Sequence, residues 1–330
     1  MKFGRILRDT PDGPQPRLVS VHPNPDGVAI LDLATAYVEL LIDGGATPRM
    51  ARALARAQFP GSLTEALEFG DHFIDTVRRV HAHADDTTMI DGEEVNWISP
   101  VDPPVLRDFN AFKNHEATAP DVWFQVPLYF KINPSTIVGD GAQIVWPGEC
   151  EHMDYELELG LVIGKRGVDL TPDNAADVLF GVTIFNDFSV RNLLRKEMEG
   201  RLGPAKGKDF ASAIGPWVVT TDEIDIRNLP MTARINGELW SSGNSGDIIW
   251  SIEEILSYAS RSEPLVPGEV IGTGTVAGGS GWELDRKLQP GDVVELTIDG
   301  IGTLRNIVGA PEAAPWVPRE RGRDRVEVRA

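Results

Sequence analysis

The chain has 330 residues, enough for one large domain and a smaller one, and its apolar fraction of 42% is ordinary for a globular protein. Its 50 acidic residues against 31 basic ones give a net charge of −19, which repels nucleic-acid phosphates and anionic membrane surfaces. We therefore expect neither nucleic acid nor a membrane as a partner.

Cysteine content and hydropathy bear on the compartment. Cys150 is the only cysteine, so neither an intrachain disulfide nor a zinc site of several thiolates can form. It lies between Glu149 and Glu151, whose charges oppose thiolate formation, so we do not expect a nucleophile here. No run of about 18 apolar residues occurs, and a cytoplasmic protein is the simplest expectation.

The first hundred residues predict a small β-containing domain. Residues 17–22 and 27–33 have strand-like composition and are separated by a turn cluster rich in proline. Ser62 and Glu65 form a capping box, and the apolar spacing after it predicts one amphipathic helix to about residue 82. Prolines at 100, 103 and 104 predict a boundary between residues 1–100 and a second domain, residues 101–330.

Beyond that boundary the chain is rich in strands and punctuated by glycine. One short helix is predicted to begin at Thr171-Pro172 and to end before Gly181, and another to begin at the capping box of Ser251 and Glu254. The strands do not alternate with long helices, as a doubly wound sheet requires. The predicted fold class is therefore α+β, mostly β, with a mixed β-roll or barrel-like core.

An alternating segment carries the first functional signal. As a strand, residues 155–163 place Glu156 and Glu158 on one face and only aromatic or aliphatic side chains on the other. Like charges on a buried face repel each other, and solvent or a divalent cation relieves that repulsion. Oxygen ligands favour Mg²⁺, Mn²⁺ or Ca²⁺ over zinc or copper. The pattern also occurs on solvated strand faces, so both interpretations stay open at this point.

Two further acids are candidates for the same site. Asp187 follows the strand-like residues 181–185, and Asp108 lies between Arg107 and Phe109. An acid at the end of a neighbouring strand would complete an anionic cup for one divalent ion, with positions left open for a substrate. The alternative interpretation of each acid is a turn residue or a helix cap.

Short motifs occur along the chain in a fixed order. They are Arg107-Asp108-Phe109 with His115, Pro147 with Asp154-Tyr155-Glu156-Leu157-Glu158-Leu159, Asn186-Asp187-Phe188-Ser189 with Arg191, Gly207-Lys208-Asp209-Phe210 with Gly215-Pro216-Trp217, Thr273-Gly274-Thr275, and Gly291-Asp292 with Gly300-Ile301-Gly302. In this order and spacing the sequence resembles the fumarylacetoacetate hydrolase family from about residue 102 to residue 308. The resemblance implies a β-roll catalytic domain after a small N-terminal domain, and a homodimer.

The resemblance also implies a metal site. It puts a divalent ion, Mg²⁺ or Mn²⁺ with Ca²⁺ as an alternative, on Glu156, Glu158 and Asp187. Asp108 matches a fourth ligand found in the longer, hydrolytic members of the family.

Four other positions match functional residues of the family. His115 falls where the hydrolytic members carry their general base, and Glu283 matches the acid that orients this histidine. Lys208 matches a lysine of the site, and Thr275 matches a threonine that contacts the substrate. A histidine oriented by a carboxylate is suited to activating a water molecule. The alternatives are a loop histidine at 115 and a solvated lysine at 208.

Other histidines and glycines have simpler interpretations. Five histidines match nothing in the family and are interpreted as surface or helix-face residues: His22, His72, His81, His83 and His152. The glycine-rich segments 272–275 and 278–281 lack the lysine of a phosphate-binding loop and a surrounding βαβ pattern. We expect them to be backbone loops that line the substrate.

The substrate end of the site departs from the family's pattern. Asn110, Leu194 and Met198 stand where the fumarylacetoacetate-cleaving enzyme has polar or aromatic substrate contacts, and its arginine has no clear counterpart beyond Phe124 or Lys131. The substrate expected from these differences is not fumarylacetoacetate. Leu194 and Met198 predict a less polar substrate end, because an unpaired polar group against them would lose its hydration.

The leading hypothesis from the sequence is a divalent-metal-dependent hydrolase that cleaves a carbon–carbon bond in a small 1,3-diketone or acylpyruvate-like 2-oxo acid. His115, oriented by Glu283, would deprotonate the attacking water, and Lys208 would hold the developing oxyanion. Two alternatives remain open. One is a decarboxylase, hydratase or isomerase of the same family, and the other is a non-catalytic binding protein stabilised by its metal.

Overall fold

The computed structural model describes residues 1–25, 27–112 and 120–318. These ranges contain six α-helices: α1 (Leu33–Asp43), α2 (Pro48–Gln58), α3 (Leu63–Leu67), α4 (Asp71–His83), α5 (Arg191–Glu199) and α6 (Ile252–Ala259). Within the described ranges, no helix is both long enough and apolar enough to cross a membrane.

The same ranges contain nineteen β-strands. They are β1 (Lys2–Arg8), β2 (Gln15–Asn24), β3 (Gly27–Asp32), β4 (Ile90–Asp91), β5 (Asn96–Ile98), β6 (Leu106–Phe109), β7 (Tyr129–Ile132), β8 (Ile137–Val138), β9 (Gln143–Trp146), β10 (Met153–Asp154), β11 (Leu157–Ile163), β12 (Leu179–Asn186), β13 (Ser189–Val190), β14 (Ser212–Thr220), β15 (Pro230–Ile235), β16 (Glu238–Asn244), β17 (Val270–Gly272), β18 (Val293–Ile298) and β19 (Gly302–Pro311).

The strands form one large sheet, a smaller five-stranded sheet and a two-stranded pair. The large sheet has the order β4-β3-β2-β1-β14-β12-β11-β17-β6-β7, with β5 beside β1 and β8 beside β14, and the smaller one has the order β16-β15-β18-β19-β9. The two-stranded pair is β10 with β13. The predicted α+β, mostly β fold class is confirmed. The boundary predicted near residue 100 stays a prediction, although β1 pairs directly with β14 in one continuous sheet.

Strand β11 has the two-faced pattern that the sequence predicts. One face packs into the core shared with the smaller sheet, through Tyr155, Leu157, Leu159, Leu161 and Ile163. The opposite face carries Glu156 and Glu158 at one end and Val162 at the other, where it packs with residues of α1 to α4. This face is therefore polar only where the carboxylates lie, and apolar packing closes it beyond them.

The helical predictions are partly wrong. The single helix predicted from residue 63 to about 82 is two helices, α3 and α4, because Gly70 at the junction has φ +57° and ψ −137°, a backbone conformation that ends a helix. Helices α1 and α2 were not predicted. The helix predicted to begin at Thr171-Pro172 is only a 3₁₀ turn, Ala175–Val178, whereas the capping box of Ser251 and Glu254 at α6 is confirmed.

Two of the histidines interpreted as surface residues meet around a buried hydroxyl. The Oγ atom of Ser20 lies 2.9 Å from Nε2 of His22 and 2.9 Å from Nε2 of His81. A hydroxyl has one proton, so Ser20 can donate to only one of the two rings, and at least one ring must donate its Nε2–H group to the Ser20 oxygen. Burial, with a smaller effect of the nearby His22, lowers the pKa of His81 to about 4.

This arrangement predicts a loss of stability in mild acid. The unfolded chain takes up a proton on His81 below about pH 6.5, whereas the folded chain does not until about pH 4. The free energy of unfolding should therefore fall between pH 7 and pH 5, by about 1 kcal/mol from this residue after allowance for partial solvent screening. Urea unfolding at the two pH values should show a smaller loss for His81→Gln than for the parent protein. The exposed His72→Gln on the same helix serves as control, and equal losses in all three proteins would contradict the assignment.

Candidate metal centre

Neighbouring strands of the large sheet bring the predicted acids together. Glu158 lies at the start of β11 and Glu156 directly precedes that strand, Asp108 lies on β6, and Asp187 directly follows β12. In the sheet order β12-β11-β17-β6, β11 lies beside β12 and is separated from β6 by β17, whose Gly272 is paired with Asp108. One carboxylate oxygen from each of Asp108, Glu156 and Glu158 lies within 4.8 Å of the others, and all three side chains are buried.

Lys208 links Asp187 to this group. Its ammonium donates to Oε2 of Glu156 at 2.5 Å and to Oδ2 of Asp187. The Asp108 carboxyl interacts in turn with those of Asp187 and Glu158. The interpretation of Lys208 as an ordinary solvated lysine is wrong, because its side chain is almost wholly buried among acids.

The glycine-rich segment 272–275 holds Glu158. Oε2 of Glu158 accepts a hydrogen bond from the backbone N–H of Gly274 at 2.9 Å, and Oε1 accepts one from the Thr275 hydroxyl at 3.2 Å. Gly274 has φ +99°, and a Cβ there would lie 2.6 Å from the carbonyl oxygen of Phe109, so only glycine fits. The structure thus places the Thr275 hydroxyl on a carboxylate of the cluster. Its predicted contact with a substrate stays a prediction.

Arg191 and Asp154 form a second buried charge group beside the first. Nη2 of Arg191 lies 2.7 Å from Oε1 of Glu156 and 2.6 Å from Oδ2 of Asp154. Asp154 also accepts hydrogen bonds from the backbone N–H groups of Gly281 at 2.8 Å and Trp282 at 3.1 Å. Both residues belong to the matched motifs, but no role is predicted for them from the sequence. Residues 154, 156 and 158 are spaced two apart, so strand alternation could have placed Asp154 on the same face as Glu156 and Glu158.

The acids of this site raise each other's pKa values. Burial, followed by the charges of Glu158 and Asp187, raises the pKa of Asp108 well above its ordinary value. Burial, followed by Glu156 and Asp187, does the same for Glu158, and burial raises the pKa of Asp187 to about 6 although Lys208 opposes it. The pKa of Lys208 is itself raised, because Asp187 and Glu156 outweigh the effect of burial. The site holds more negative charge than its own cations balance.

The residues present fit a divalent cation. In the part of the chain that the structure describes, Oδ1 of Asp108 and Oδ1 of Asp187 are buried and have no hydrogen-bond partner. Buried carboxylate oxygens without partners are unfavourable unless a cation or a proton neutralises them. The donors are all hard oxygens, which suit Mg²⁺, Mn²⁺ or Ca²⁺. The interpretation of Glu156 and Glu158 as a solvated strand face is wrong, since both are buried.

Of the predicted pair of a histidine base and its orienting carboxylate, the structure describes only the carboxylate. His115 lies outside the described residues, so its role stays a prediction. Glu283 accepts from the Ser280 hydroxyl at 3.2 Å and from the backbone N–H of Gly278 at 3.3 Å. Ser280 forms a backbone bridge with Glu156, so Glu283 belongs to a loop attached to the carboxylate cluster.

The residues predicted to contact the substrate lie in different surroundings. Asn110 directly follows β6, and its side-chain Oδ1 is buried without a hydrogen-bond partner among the described residues. Lys131 instead donates to Glu263 at 2.6 Å, in a charge network with Arg107. On α5, Leu194 is partly buried and Met198 is exposed.

Substitution of Asp108 in the carboxylate cluster is expected to lower the affinity for a metal ion and to raise the stability of the metal-free protein. Asp108→Asn removes an oxygen ligand, so the dissociation constant for Mn²⁺ should rise more than about tenfold. An acid whose pKa is raised by folding destabilises the folded state above its ordinary pKa, so the EDTA-treated variant should unfold at a higher temperature than the parent protein. Calorimetric titration with MnCl₂ and thermal unfolding measure the two effects. The exposed Glu312→Gln should change neither, and unchanged Mn²⁺ affinity in Asp108→Asn would remove this residue from the ligand set.

Asp154 provides a separate test of how the cluster is positioned. Asp154→Asn keeps one acceptor oxygen but places an amide N–H group near Arg191, so Glu156 and the Gly281–Trp282 backbone should lose their fixed positions. We expect Mn²⁺ affinity to fall about tenfold, as for other residues that orient metal ligands. Asp292→Asn is the matched control, since Asp292 also accepts a backbone N–H group but lies outside the cluster. Equal changes in both variants would leave Asp154 with no particular role.

Comparisons with known proteins agree with this architecture. Residues 105–309 match the sequence profile described as fumarylacetoacetate (FAA) hydrolase C-terminal. Oxaloacetate tautomerase YisK of Bacillus subtilis is 33% identical over 264 residues, which cover 76% of this chain and 87% of that protein. A fumarylacetoacetate hydrolase structure from Exiguobacterium antarcticum superposes with a TM-score of 0.71 at 27% identity, covering 94% of this chain and 99% of the other. A 2-hydroxyhepta-2,4-diene-1,7-dioate isomerase structure from Mycobacterium marinum superposes with a TM-score of 0.66 at 25% identity, covering 94% and 98%. The chain belongs to the fumarylacetoacetate hydrolase family.

Proposed function

We propose that this protein is a divalent-metal-dependent enzyme that converts a small 2-oxo acid by way of its enolate, with keto–enol tautomerisation as the first candidate reaction. The observation that supports the proposal most is the pair of buried oxygens of Asp108 and Asp187 beside the Lys208 ammonium, which have no hydrogen-bond partner among the described residues. The relative with 33% identity is named an oxaloacetate tautomerase, which supports a 2-oxo acid as substrate.

The chemistry divides between the metal and the chain's own residues. A divalent ion held by Asp108, Glu156, Glu158 and Asp187 would act as a Lewis acid towards the 2-oxo carbonyl. Lys208 stays protonated, because Asp187 and Glu156 raise its pKa. Its ammonium is thus a hydrogen-bond donor and a positive charge at the place where negative charge develops on the substrate oxygen.

Proton transfer needs a base as well as a donor. In tautomerisation a proton leaves the carbon next to the carbonyl and a proton is gained by the carbonyl oxygen, or the reverse. His115 is our candidate for the base at carbon, and Lys208 is the candidate donor at oxygen. The side-chain Oδ1 of Asn110, buried and unpartnered among the described residues, is suited to accept a hydrogen bond from the hydroxyl group of an enol.

Carbon–carbon bond hydrolysis is the second candidate. It is supported by the Glu283 loop, which is attached to the cluster through the Ser280–Glu156 bridge and carries the acid expected to orient a water-activating histidine. Hydrolysis adds the attack of water to the same substrate activation, and the departing fragment leaves as an enolate. The two candidates therefore share the carboxylate cluster and differ in whether water reaches the substrate.

Product analysis separates the candidates. We expect the Mn²⁺-loaded protein to accelerate hydrogen exchange at the carbon next to the carbonyl of oxaloacetate in D₂O, above the rate without enzyme, as measured by NMR. Mass spectrometry of the reaction in H₂O then distinguishes an unchanged mass, which indicates tautomerisation, from two fragments that together contain one added water, which indicate hydrolysis. Loss of CO₂ would favour the decarboxylase alternative. No exchange and no product with oxaloacetate and a panel of acylpyruvates would contradict the proposal and favour a binding protein.

Substitution of Lys208 tests catalysis separately from metal binding. Lys208→Met removes the ammonium but none of the four candidate ligands, so Mn²⁺ should bind at least as tightly as before. The kcat/KM value should fall about 100-fold or more, as expected for loss of a positioned proton donor. Lys165→Met, at an exposed lysine paired with Asp71, is the matched control. Retained activity in Lys208→Met would assign the lysine a structural role only.

A further inference from the structure

A second polar cavity, of about 620 Å³, shares no lining residue with the carboxylate cluster. It lies beside the loop between β1 and β2, the first turn of α1 and the last turn of α2. Seven of its eight lining residues have hydrogen-bonding side chains, and three of these are arginines: Arg8, Arg17 and Arg56. In a chain with net charge −19, three guanidinium groups around one cavity make a local positive region.

Two of these arginines are held in place by one buried acid. Nε and Nη2 of Arg17 donate to Oδ2 and Oδ1 of Asp32 at 2.9 and 2.8 Å, and Nη1 of Arg8 donates to Oδ2 of the same residue at 3.2 Å. Asp32 is also the N-cap of α1 and accepts from the backbone N–H of Thr35. A single carboxylate thus orients two guanidinium groups, which still have N–H donors to offer.

The third arginine, Arg56, adds a further positive charge at the cavity. Arg56 lies in the last turn of α2, and among the described residues no carboxylate is found within 4.0 Å of it, in contrast to Arg8 and Arg17. The opposing charges are Asp32, which pairs with the other two arginines, and Asp12, which lines the cavity and is exposed at the tip of the β1–β2 loop. Thr35 contributes a hydroxyl that already contacts Arg17 at 3.1 Å.

We infer that this cavity binds a phosphate group, carried by a small phosphorylated metabolite. Guanidinium groups recognise phosphate through paired N–H donors, and here they come from β1, β2 and α2, so they can reach different oxygens of one tetrahedral group. A phosphate monoester carries a charge of about −1.5 to −2 and three terminal oxygens. The cavity volume exceeds that of a phosphate group and leaves room for an organic part. This inference is independent of the proposed reaction.

The test measures binding of inorganic phosphate and of glycerol 3-phosphate by calorimetry at low ionic strength. The protein is used as purified and again after EDTA treatment, so that binding through a metal is recognised. We expect both ligands to bind in both preparations, glycerol 3-phosphate more tightly, and succinate to bind much more weakly. Absence of phosphate binding after EDTA treatment, or succinate binding as tight as phosphate, would overturn the inference.

Three variants assign the binding to this cavity. Arg56→Ala should weaken phosphate binding about tenfold, the effect of one charge-assisted contact. Asp12→Asn should strengthen phosphate binding, because it removes a negative charge that repels the phosphate. Arg52→Ala, one turn earlier on α2 and outside the cavity lining, should leave it unchanged. Equal weakening by Arg52→Ala and Arg56→Ala would mean that surface charge alone attracts the anion. Because Arg56 is exposed, its removal should leave the thermal unfolding temperature unchanged, which serves as a check on folding.

Discussion

The site depends on one electrostatic constraint: acidic side chains from adjacent strands are buried together within the sheet. Each carboxylate lost most of its hydration when the sheet formed, and mutual repulsion adds to that loss. The protein offsets part of it with two buried cations, Lys208 and Arg191, and with backbone N–H groups. The remaining negative charge, carried by oxygen donors, is the property that makes the cluster fit a small divalent ion.

Backbone geometry makes this burial possible. The Gly274 segment comes close enough to Glu158 to donate its N–H group, and the Gly281 backbone does the same for Asp154. A Cβ at Gly281 would lie 2.7 Å from Oδ1 of Asp154, so a side chain there would push the loop away from the strand. The glycines of both loops therefore act on the acids, and through them on the position of any bound ion. A loop that looks like a nucleotide-binding segment in the sequence holds carboxylates in the structure.

Much of this arrangement can be predicted from the sequence, because strand periodicity is local. The alternation of residues 155–163 fixes which face carries Glu156 and Glu158, and the apolar residues of the other face all enter one core. Contacts between distant segments are not encoded by periodicity: nothing in the residues near Asp154 indicates that Trp282 and Arg191 converge on it. The break at Gly70 was missed for a different reason, since the apolar spacing continues through a residue whose backbone ends the helix. The His22 and His81 pair likewise joins a strand to a helix 59 positions later, which no local pattern reveals.

The position of Lys208 has a consequence for the order of events at this site. Its ammonium already contacts Glu156 and Asp187, two of the four candidate ligands, and so serves as an internal counterion for the metal-free chain. An incoming ion must share these oxygens with the lysine or displace it from one of them. In the second case, loading of the ion and release of the lysine side chain are a single exchange of cations. In that case, binding of the ion would also change where the hydrogen-bond donors of Lys208 point.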